Sequence, residues 1–381
     1  MRMNIALPVT LGAVFLLAAL STGSPVLLFL SILPGLALIY GLASVLWAAG
    51  TLRLRSHLDT GRVQRGEDAV CQIFLRHRGF LPIAPIRLEV QPGTGLPPQE
   101  IFLRDRPGTE QRLTVPIRGA HVGICRPGVQ AWEVSDLLGL FTLRRIVTET
   151  DTLLVLPRLF DTDPLTLAPG DPGTEMLARA SEDLSSPSDI RSYQPGDAMK
   201  KVHWKLSLRK RELLVRKFDE PIQQEVLILM DCSRPPSWGH PEAEADLRDG
   251  LLETAASVFA DQTRRDLTVH LPLFGAHPME LEKSTGLPLA LENLALVDFS
   301  ESDRFERVLV LESRRLRKIG CLVVVSARMN SAIVDTLIRM RNLGPAVRVY
   351  LVTFVPEDPG LQPLTGRLMQ SGIQVEFIIP E

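Results

Sequence analysis

Two long runs without a single charged residue open the chain and restrict its fold more than any other feature. The first extends from Met3 to Thr22 and the second from Pro25 to Gly50. Each is close to the ~20 residues that a helix needs to cross the hydrocarbon layer of a bilayer. The sequence STGSP between them is typical of a turn. The sequence therefore predicts two transmembrane helices in a tight hairpin over residues 1–50.

Positive charge flanks the two runs on one side only. Arg2 and the amino terminus precede the first run, and Arg53 and Arg55 follow the second, whereas the turn carries no charge. By the positive-inside rule, both ends of the hairpin and the rest of the chain lie in the cytoplasm, as in a multi-pass protein of a bacterial inner membrane. A cleaved signal peptide and a core hairpin of a soluble domain are the alternatives. Against the signal peptide, only Arg2 precedes the first run and a second apolar run follows at once.

Charge and cysteine content exclude several classes of function. The net charge of −2 gives no reason to expect general affinity for nucleic acid. The four cysteines form no C-x-x-C pair, which excludes the usual zinc and thioredoxin-like spacings and suits a reducing compartment. An electrostatic partner must therefore be recruited by a local patch of the chain.

Short β-rich segments, each ending at a turn signal, follow the apolar runs over residues 51–160. These segments are AVCQIFLRHRG, IRLEVQPG, EIFLRD, QRLTVPIRG, GVQAWEV and LLVLP. Their spacing of roughly ten residues is typical of an antiparallel sandwich or barrel. Residues 161–188 are rich in proline, glycine, aspartate, serine and threonine, which is the composition of a connector. We therefore expect a β-sandwich-like domain and then a linker.

Strands and helices alternate over residues 220–381. EVLILM, Glu225–Met230, is a continuous apolar run of the kind found in buried parallel strands. Helical patterns alternate with the strands LTVHLPLF, CLVVVS, VRVYLVTF and VEFII further along. This alternation predicts an α/β doubly wound domain, which binds ligands at the carboxyl ends of its strands.

A strongly basic segment lies between the connector and the α/β domain, within residues 189–219. It holds eight lysines and arginines between Lys200 and Lys217 against one acid, Glu212. Asp197 suits a helix N-cap, which favours a helix from Ala198 to about Arg209. The alternation of apolar and polar residues over 202–209 favours a strand instead. We expect the helix, followed by a strand over residues 213–218.

The residues of this segment match a known pattern. D-x-R-x-Y-x-P-G-D, then H-W-K and L-L-V-R-x-F resemble the signature of the domain-of-unknown-function 58 family. The matching residues are Asp189, Arg191, Tyr193, Pro195, Gly196, Asp197, His203, Trp204, Lys205, Arg209, Leu213, Val215, Arg216 and Phe218. Upstream, RGAHVGICRPG, SDLLGLF and LLVLPRL also resemble the family. One departure is Leu208, which stands where the family has a small residue.

The resemblance implies an architecture and a kind of partner, but no activity. It implies a membrane-anchored protein with a β-domain and a von Willebrand factor A-like domain. Such proteins are commonly encoded near MoxR-type AAA+ ATPases. On this ground we expect a non-enzymatic scaffold or adaptor that works with such an ATPase in assembling or maturing an envelope-associated complex.

The basic segment has several possible uses, which the sequence leaves open. It could pack between the two domains, with Trp204 buried and its arginines paired with carboxylates. It could instead dock an acidic protein surface, or bind an anionic lipid surface. Nucleic acid is not expected, because no recognised binding motif accompanies the charge. The candidate binding residues are Arg191, Tyr193, Gly196, Asp197, His203, Trp204, Lys205, Arg209 and Arg216.

An enzyme is the alternative to a binding protein. Asp197 and His203 could act as an acid–base pair, although six residues apart on a helix they would not share a face. The chain has no recognisable nucleophile elbow, no glycine-rich phosphate loop and no H-E-x-x-H motif. We therefore expect neither catalysis nor a cofactor.

The end of the first α/β strand carries the remnant of a metal-site motif. A von Willebrand A metal site resembles D-x-S-x-S, and here Asp231 and Ser233 are followed by Pro235. The aspartate expected after CLVVVS is also missing, and Arg328 stands near its place. We expect this arginine to pair with Asp231, and the site to bind magnesium only weakly, because two oxygen ligands are lacking.

Overall fold

The computed structural model describes residues 2–78, 83–104, 106, 108–148, 150–162, 189–194, 199, 202–217, 225–236, 241–274, 278–299 and 305–380. These residues divide into two units, Met1–Leu156 and Pro157–Glu381.

Two apolar helices begin the first unit and pack against each other. They are α1 (Ala6–Thr22) and α2 (Pro25–Thr51), and Gly23 ends α1 in the left-handed conformation at φ +68°. In the described part of the chain, α2 is the one helix long and apolar enough to cross a membrane. The second run thus forms a helix with the length and composition of a membrane span, while α1 is apolar but shorter, at 17 residues.

Short strands make up the rest of the first unit. The described strands are β1 (Arg2–Met3), β2 (Leu52–Leu58), β3 (Arg62–Gln64), β4 (Asp68–His77), β5 (Ile86–Gln91), β6 (Gln99–Leu103), β7 (Glu110–Arg118), β8 (Gly123–Cys125), β9 (Gly128–Ser135), β10 (Phe141–Ile146) and β11 (Leu153–Leu156). The predicted segments all form strands. The sequence pattern missed β1, β2, β3, β8 and β10, whose pairing partners lie far away or across a turn.

Three sheets arise from these strands. One has the order β1-β10-β9-β5-β6, a second has the order β2-β4-β7, and the third has the order β3-β11-β8. Inward-facing side chains of the first two sheets, such as Ile86 and Leu88 on β5 and Ile73 and Leu75 on β4, belong to one buried cluster. Two antiparallel sheets that share a core in this way form a sandwich, as the sequence predicted.

The second unit contains a signature segment and an α/β body. The described elements are β12 (Asp189–Ser192), α3 (Trp204–Lys210), β13 (Leu214–Lys217), β14 (Glu225–Met230), α4 (Pro241–Arg264), β15 (Thr268–Leu273), β16 (Met279–Glu282), α5 (Leu287–Ala295), α6 (Phe305–Glu312), β17 (Ile319–Ser326), α7 (Ser331–Arg341), β18 (Ala346–Val352), α8 (Gln362–Gln370) and β19 (Gln374–Ile378). Among them, β12, β16 and α5 were not predicted.

The α/β body is built on a six-stranded sheet within the described ranges, in the order β16-β15-β14-β17-β18-β19. All neighbouring strands are parallel except β16, which pairs antiparallel with β15. Leu227 and Leu229 of β14 pack in one cluster with side chains of α6, α7 and α8. Strand alternation turns Val226 and Ile228 to the other face, and α4 packs on β14 as well. The expected doubly wound arrangement is therefore present.

Candidate functional site

Two short antiparallel strands frame the signature segment. In the β12–β13 ladder, Asp189 lies opposite Lys217 and Ser192 lies opposite Leu214. The Tyr193 backbone N–H continues the ladder by donating to the Leu213 carbonyl at 2.8 Å. The segment between the strands is therefore closed into a loop by backbone hydrogen bonds.

Helix α3 lies inside this loop and is capped by a histidine. The His203 carbonyl accepts from the Ser207 N–H at 2.9 Å, and the imidazole Nδ1 accepts from the Leu206 N–H at 3.3 Å. The His203 N–H itself donates to the Leu214 carbonyl at 2.8 Å. An accepting Nδ1 carries no proton, so this arrangement selects the imidazole that is unprotonated at Nδ1.

The predicted start of the helix at Ala198 is wrong. The helix begins at Trp204, because Val202 is in a β-bridge with Val215 of β13. That pairing is incompatible with a helical backbone at residue 202, where the alternation of apolar and polar residues had favoured a strand. Asp197, the predicted cap, lies outside the described residues.

A buried serine joins α3 to β13. The Ser207 hydroxyl accepts from the Leu214 N–H at 2.9 Å, and its side chain is buried, as are Val202, Leu214 and Val215. Arg211 ends the helix in the left-handed conformation at φ +57°. Sequence reasoning missed Ser207, because its partner lies seven residues away across the turn, where periodicity shows nothing.

The outer surface of α3 carries apolar and basic side chains together. Trp204 and Leu208 are 52% and 78% exposed, and their spacing of four residues places them on one side of the helix. Lys205 and Arg209 form a second pair with the same spacing and are also exposed. We call these four residues the Trp204 face.

The cations of the Trp204 face have no acidic partner in the described part of the chain. No ion pair joins Lys205 or Arg209 to a described carboxylate, and the neighbouring Lys210 and Arg211 are likewise exposed. Within the described residues, the face is a surface where an exposed aromatic ring stands beside positive charge. Packing of Trp204 between the two domains stays a prediction.

The other predicted binding residues are only partly visible. Tyr193 and His203 are half-buried, while the backbones of Arg191 and Arg216 lie in β12 and β13. The side chains of these two arginines, and Gly196 with Asp197, fall outside the described residues. The structure therefore brings Trp204, Lys205 and Arg209 together on α3, and His203 directly before them caps this helix.

A second polar cluster lies at the carboxyl edge of the α/β sheet. Asp231 directly follows β14 and Ser326 ends β17, and these two strands are neighbours. After β14 the chain adds its next strand, β15, on one side of this pair, and after β17 it adds β18 on the other side. The gap between the ends of β14 and β17 is therefore the topological switch point, where such sheets bind ligands. The cluster thus occupies the position at which a ligand site is expected.

Asp231 is fully engaged by its surroundings. Its side chain is buried, Oδ1 accepts from the Ser233 backbone N–H at 3.0 Å and from the Ser233 hydroxyl, and Oδ2 lies 2.9 Å from the Ser326 hydroxyl. Arg328 Nε lies 3.3 Å from Oδ2, which is the predicted ion pair. Burial raises the pKa of the Asp231 carboxyl, although the hydrogen bond from Ser233 and the charge of Arg328 act to lower it.

The residues at the switch point do not fit a tightly bound divalent cation. Asp231, Ser233 and Ser326 offer oxygen atoms, but Pro235 offers none, and the Arg328 guanidinium lies where positive charge would have to bind. A metal ion would have to displace this arginine, and a magnesium shell needs six oxygen ligands in near-ideal geometry. Weak metal binding stays a prediction that titration can test.

The fold and the site define an α/β protein with a sandwich domain before it and an exposed basic segment at its start. Residues 189–281 match a family model described as "Protein of unknown function DUF58". The match begins with β12, includes the whole signature segment and ends in β16. The resemblance drawn from the signature is thereby confirmed.

Solved structures show only remote similarity to this chain. The sporulation control protein Spo0M from Bacillus subtilis is 14% identical with a TM-score of 0.16, and the match covers 38% of this chain and 58% of that one. Cwp6 from Clostridium difficile is 10% identical with a TM-score of 0.21, over 85% of this chain and 49% of that one. The chain thus spans about half the length of these proteins. Similarity this low supports no conclusion about fold or activity, and no curated protein matches the sequence.

Proposed function

We propose that this chain is a membrane-anchored, non-enzymatic adaptor whose Trp204 face docks an acidic surface of a partner protein. One observation carries the proposal: the face presents Trp204 and Leu208 to solvent beside two cations that have no described carboxylate partner. Tryptophan and arginine are enriched among the residues that dominate protein–protein binding energy. Unpaired cations at the rim of such a surface steer an acidic partner and suppress basic ones.

The anchor in this proposal is the pair α1 and α2, with both helices crossing the bilayer. β1, which precedes α1, pairs with β10 of the sandwich, and α2 runs directly into β2. Both outer ends of the hairpin therefore lie at the sandwich, on one side of the membrane. Seventeen residues of α1 span ~25 Å, which a locally thinned bilayer accommodates.

The cytoplasmic side is proposed for the sandwich and the α/β domain, because Arg2, Arg53 and Arg55 flank the hairpin there. A reporter fused after Glu381 should then be active only in its cytoplasmic form. Activity of a periplasmic reporter at that position would reverse the orientation. It would also remove every cytoplasmic ATPase from the possible partners.

The partner in this proposal is a MoxR-type AAA+ ATPase, and the process is assembly or maturation of an envelope-associated complex. Both rest on the family resemblance. The assignment of the α/β domain to the von Willebrand A type has two further supports, the doubly wound sheet and the Asp231-x-Ser233 sequence at the end of its first strand.

Acid–base chemistry by Asp197 and His203 is the competing function. The described contacts of His203 favour a structural role, because its backbone and its Nδ1 both hold the first turn of α3. An imidazole that exchanged its Nδ1 proton during catalysis would lose the contact to Leu206. The alternative of a lipid-binding face uses the same side chains as docking and is separated from it by the experiment below.

The decisive experiment measures binding of the full chain, reconstituted in neutral lipid nanodiscs, to a purified MoxR-type ATPase from the same genome. Reversing charge with Lys205→Glu and Arg209→Glu should weaken binding at least about tenfold, with the loss greatest at low salt. Arg339→Glu, at an exposed position of α7, serves as a control for a charge reversal elsewhere on the chain.

Three outcomes are informative. Equal binding by both variants would show that the ATPase docks elsewhere. No binding even by the unaltered chain would remove the ATPase as the partner. Binding of the Trp204 face to anionic vesicles, lost in the same double variant and without any ATPase binding, would replace protein docking by lipid binding.

A further inference from the structure

The SDLLGLF sequence, which the proposed docking does not use, forms a tight turn between β9 and β10. Asp136 is buried at its base. Its Oδ1 accepts from the Phe141 N–H at 2.7 Å, and its Oδ2 accepts from the Leu138 N–H at 3.0 Å. Gly139 takes the left-handed conformation at φ +67°. The turn is therefore held in one shape by a single carboxylate.

This turn lies directly against the apolar hairpin. A Cβ atom at Gly41 of α2 would stand 3.1 Å from Asp136 Oδ2 and 3.2 Å from Phe141 Cδ2. On the other side, the Asn4 N–H donates to the Leu140 carbonyl at 2.8 Å, two residues before α1 begins at Ala6. The turn thus sits at the level where both apolar helices meet the sandwich.

The tip of the turn presents two large apolar side chains to solvent. Leu137 is 57% exposed and Leu138 is 63% exposed. Adjacent exposed leucines on a turn with a fixed backbone gain nothing for the fold of the sandwich. Ile5 and Tyr40, which adjoin the contact residues Asn4 and Gly41 in the chain, are exposed as well. Exposed apolar side chains are therefore found both on the turn and next to the residues that contact it.

We propose that the Leu137–Leu138 turn inserts into the bilayer beside the anchor. The occupant of this surface is lipid, at the boundary between headgroups and acyl chains, because the turn is level with the first residues of α1. This inference rests on the anchor of the proposed function. Its consequence is mechanical: the turn adds a third contact with the bilayer to those of α1 and α2, and this contact restricts the tilt of the sandwich relative to the membrane.

Spin labels on the full chain in lipid vesicles test the insertion. Leu138→Cys carries the label at the turn, and Leu17→Cys, at a position 68% exposed on α1, reports the anchor. Ile124→Cys is the matched aqueous control, since Ile124 is 59% exposed and precedes β9. The eight residues of β9 place Gly128, four residues after Ile124, ~26 Å from the turn. The four native cysteines are buried, and the unaltered chain, taken through the same labelling, measures their background.

We expect oxygen, which concentrates in lipid, to relax the label at Leu138 strongly. A water-soluble nickel chelate should relax the same label only weakly. Ile124 should show the opposite behaviour. If Leu138 behaves like Ile124 while Leu17 remains in lipid, the turn is in water and the inference is wrong, although the anchor stands. If Leu17 is in water too, the proposed anchor itself fails. Protection of Leu138 from both agents would mean that protein covers the turn, which also overturns the inference.

Discussion

Arg328 and the cations of α3 have the same charge in opposite surroundings. Arg328 lies 3.3 Å from Asp231, a carboxylate that is 1% exposed. Lys205 and Arg209 are exposed, and no described carboxylate pairs with them. At the switch point of the sheet, where a ligand would be expected, the buried carboxylate of Asp231 is thus already paired with a cation of the same chain. In the signature segment, the positive charges of Lys205 and Arg209 are exposed to solvent.

This difference indicates what each region contributes. A cation that already neutralises a buried carboxylate contributes to stability. Because the pair has almost no net charge, it attracts an acidic partner only weakly. An exposed cation contributes almost nothing to stability, yet it steers association with an oppositely charged surface. Substitutions should therefore affect folding at the switch point and binding at α3.

The largest effect is expected from Arg328→Ala, which leaves the buried Asp231 without its counterion. Breaking a fully buried pair costs about 3–5 kcal/mol. The Arg328 side chain is 37% exposed, so we expect roughly 2–3 kcal/mol once solvent screening is included. Denaturant unfolding of the full chain in detergent measures the change. Arg234→Ala, which removes a more exposed pair with Glu244, should lower stability by less than about 1 kcal/mol. Equal losses in the two variants would contradict the comparison.

The pH dependence of the same variant sharpens the assignment. Burial already raises the folded-state pKa of Asp231 above its ordinary value of 3.8, and Arg328 opposes that rise. Without Arg328 the pKa rises further, so the folded state binds a proton more readily than the unfolded state. Stability then increases as the pH falls through the folded pKa towards the ordinary value. The deficit of Arg328→Ala should be greatest at neutral pH and shrink in acid. A deficit that does not change with pH would show that Arg328 acts through packing.

Ser207→Ala tests how the signature segment is held together, and we expect an intermediate loss of stability. The variant leaves the Leu214 N–H without its acceptor in a buried place, which costs about 1–3 kcal/mol. Because local opening can occur without global unfolding, amide exchange at Leu214 is the appropriate measurement. Leu208→Ala, at a position 78% exposed, should leave that exchange rate nearly unchanged. The Leu214 amide should therefore exchange faster in Ser207→Ala than in the unaltered chain. Slow exchange of this amide in both variants would mean that other contacts hold the loop.

A smaller change in stability is expected at His203. His203→Ala removes the cap of α3 and should cost about 1 kcal/mol, whereas His203→Asn retains a capping oxygen and should lose less. Both variants should still bind the partner if the docking proposal is right. Trp204→Ala should do the reverse, with little loss of stability, because Trp204 is 52% exposed, and a clear loss of binding. A folded His203→Asn protein that binds its partner but has lost all function in vivo would favour acid–base chemistry.

The smallest effect is expected from magnesium. With millimolar affinity, 1 mM Mg²⁺ would raise the free energy of unfolding by only about 0.4 kcal/mol. Calorimetric titration of the full chain with magnesium or manganese measures this directly. Micromolar affinity that Asp231→Ala abolishes would show that the switch point remains open to an ion despite Arg328.

The outline of the molecule could be predicted from local patterns. The strand Glu225–Met230 has the bounds that its apolar run indicated, because a buried parallel strand requires apolar side chains on both faces. The charge-free runs and the signature were also visible in the sequence. Each of these features depends only on the composition of one continuous stretch, which is why the sequence alone was enough.

Pairing between distant residues was decided only by the tertiary structure. The bridge between Val202 and Val215 moved the start of α3, and the order of strands brought Asp231 beside Ser326 across 95 residues. The contact of Gly41 with the turn at Asp136 is of the same kind. Periodicity records which face of an element avoids water, but not which element covers that face. The exposure of Trp204 could therefore not be predicted from a sequence that would equally suit a buried helix.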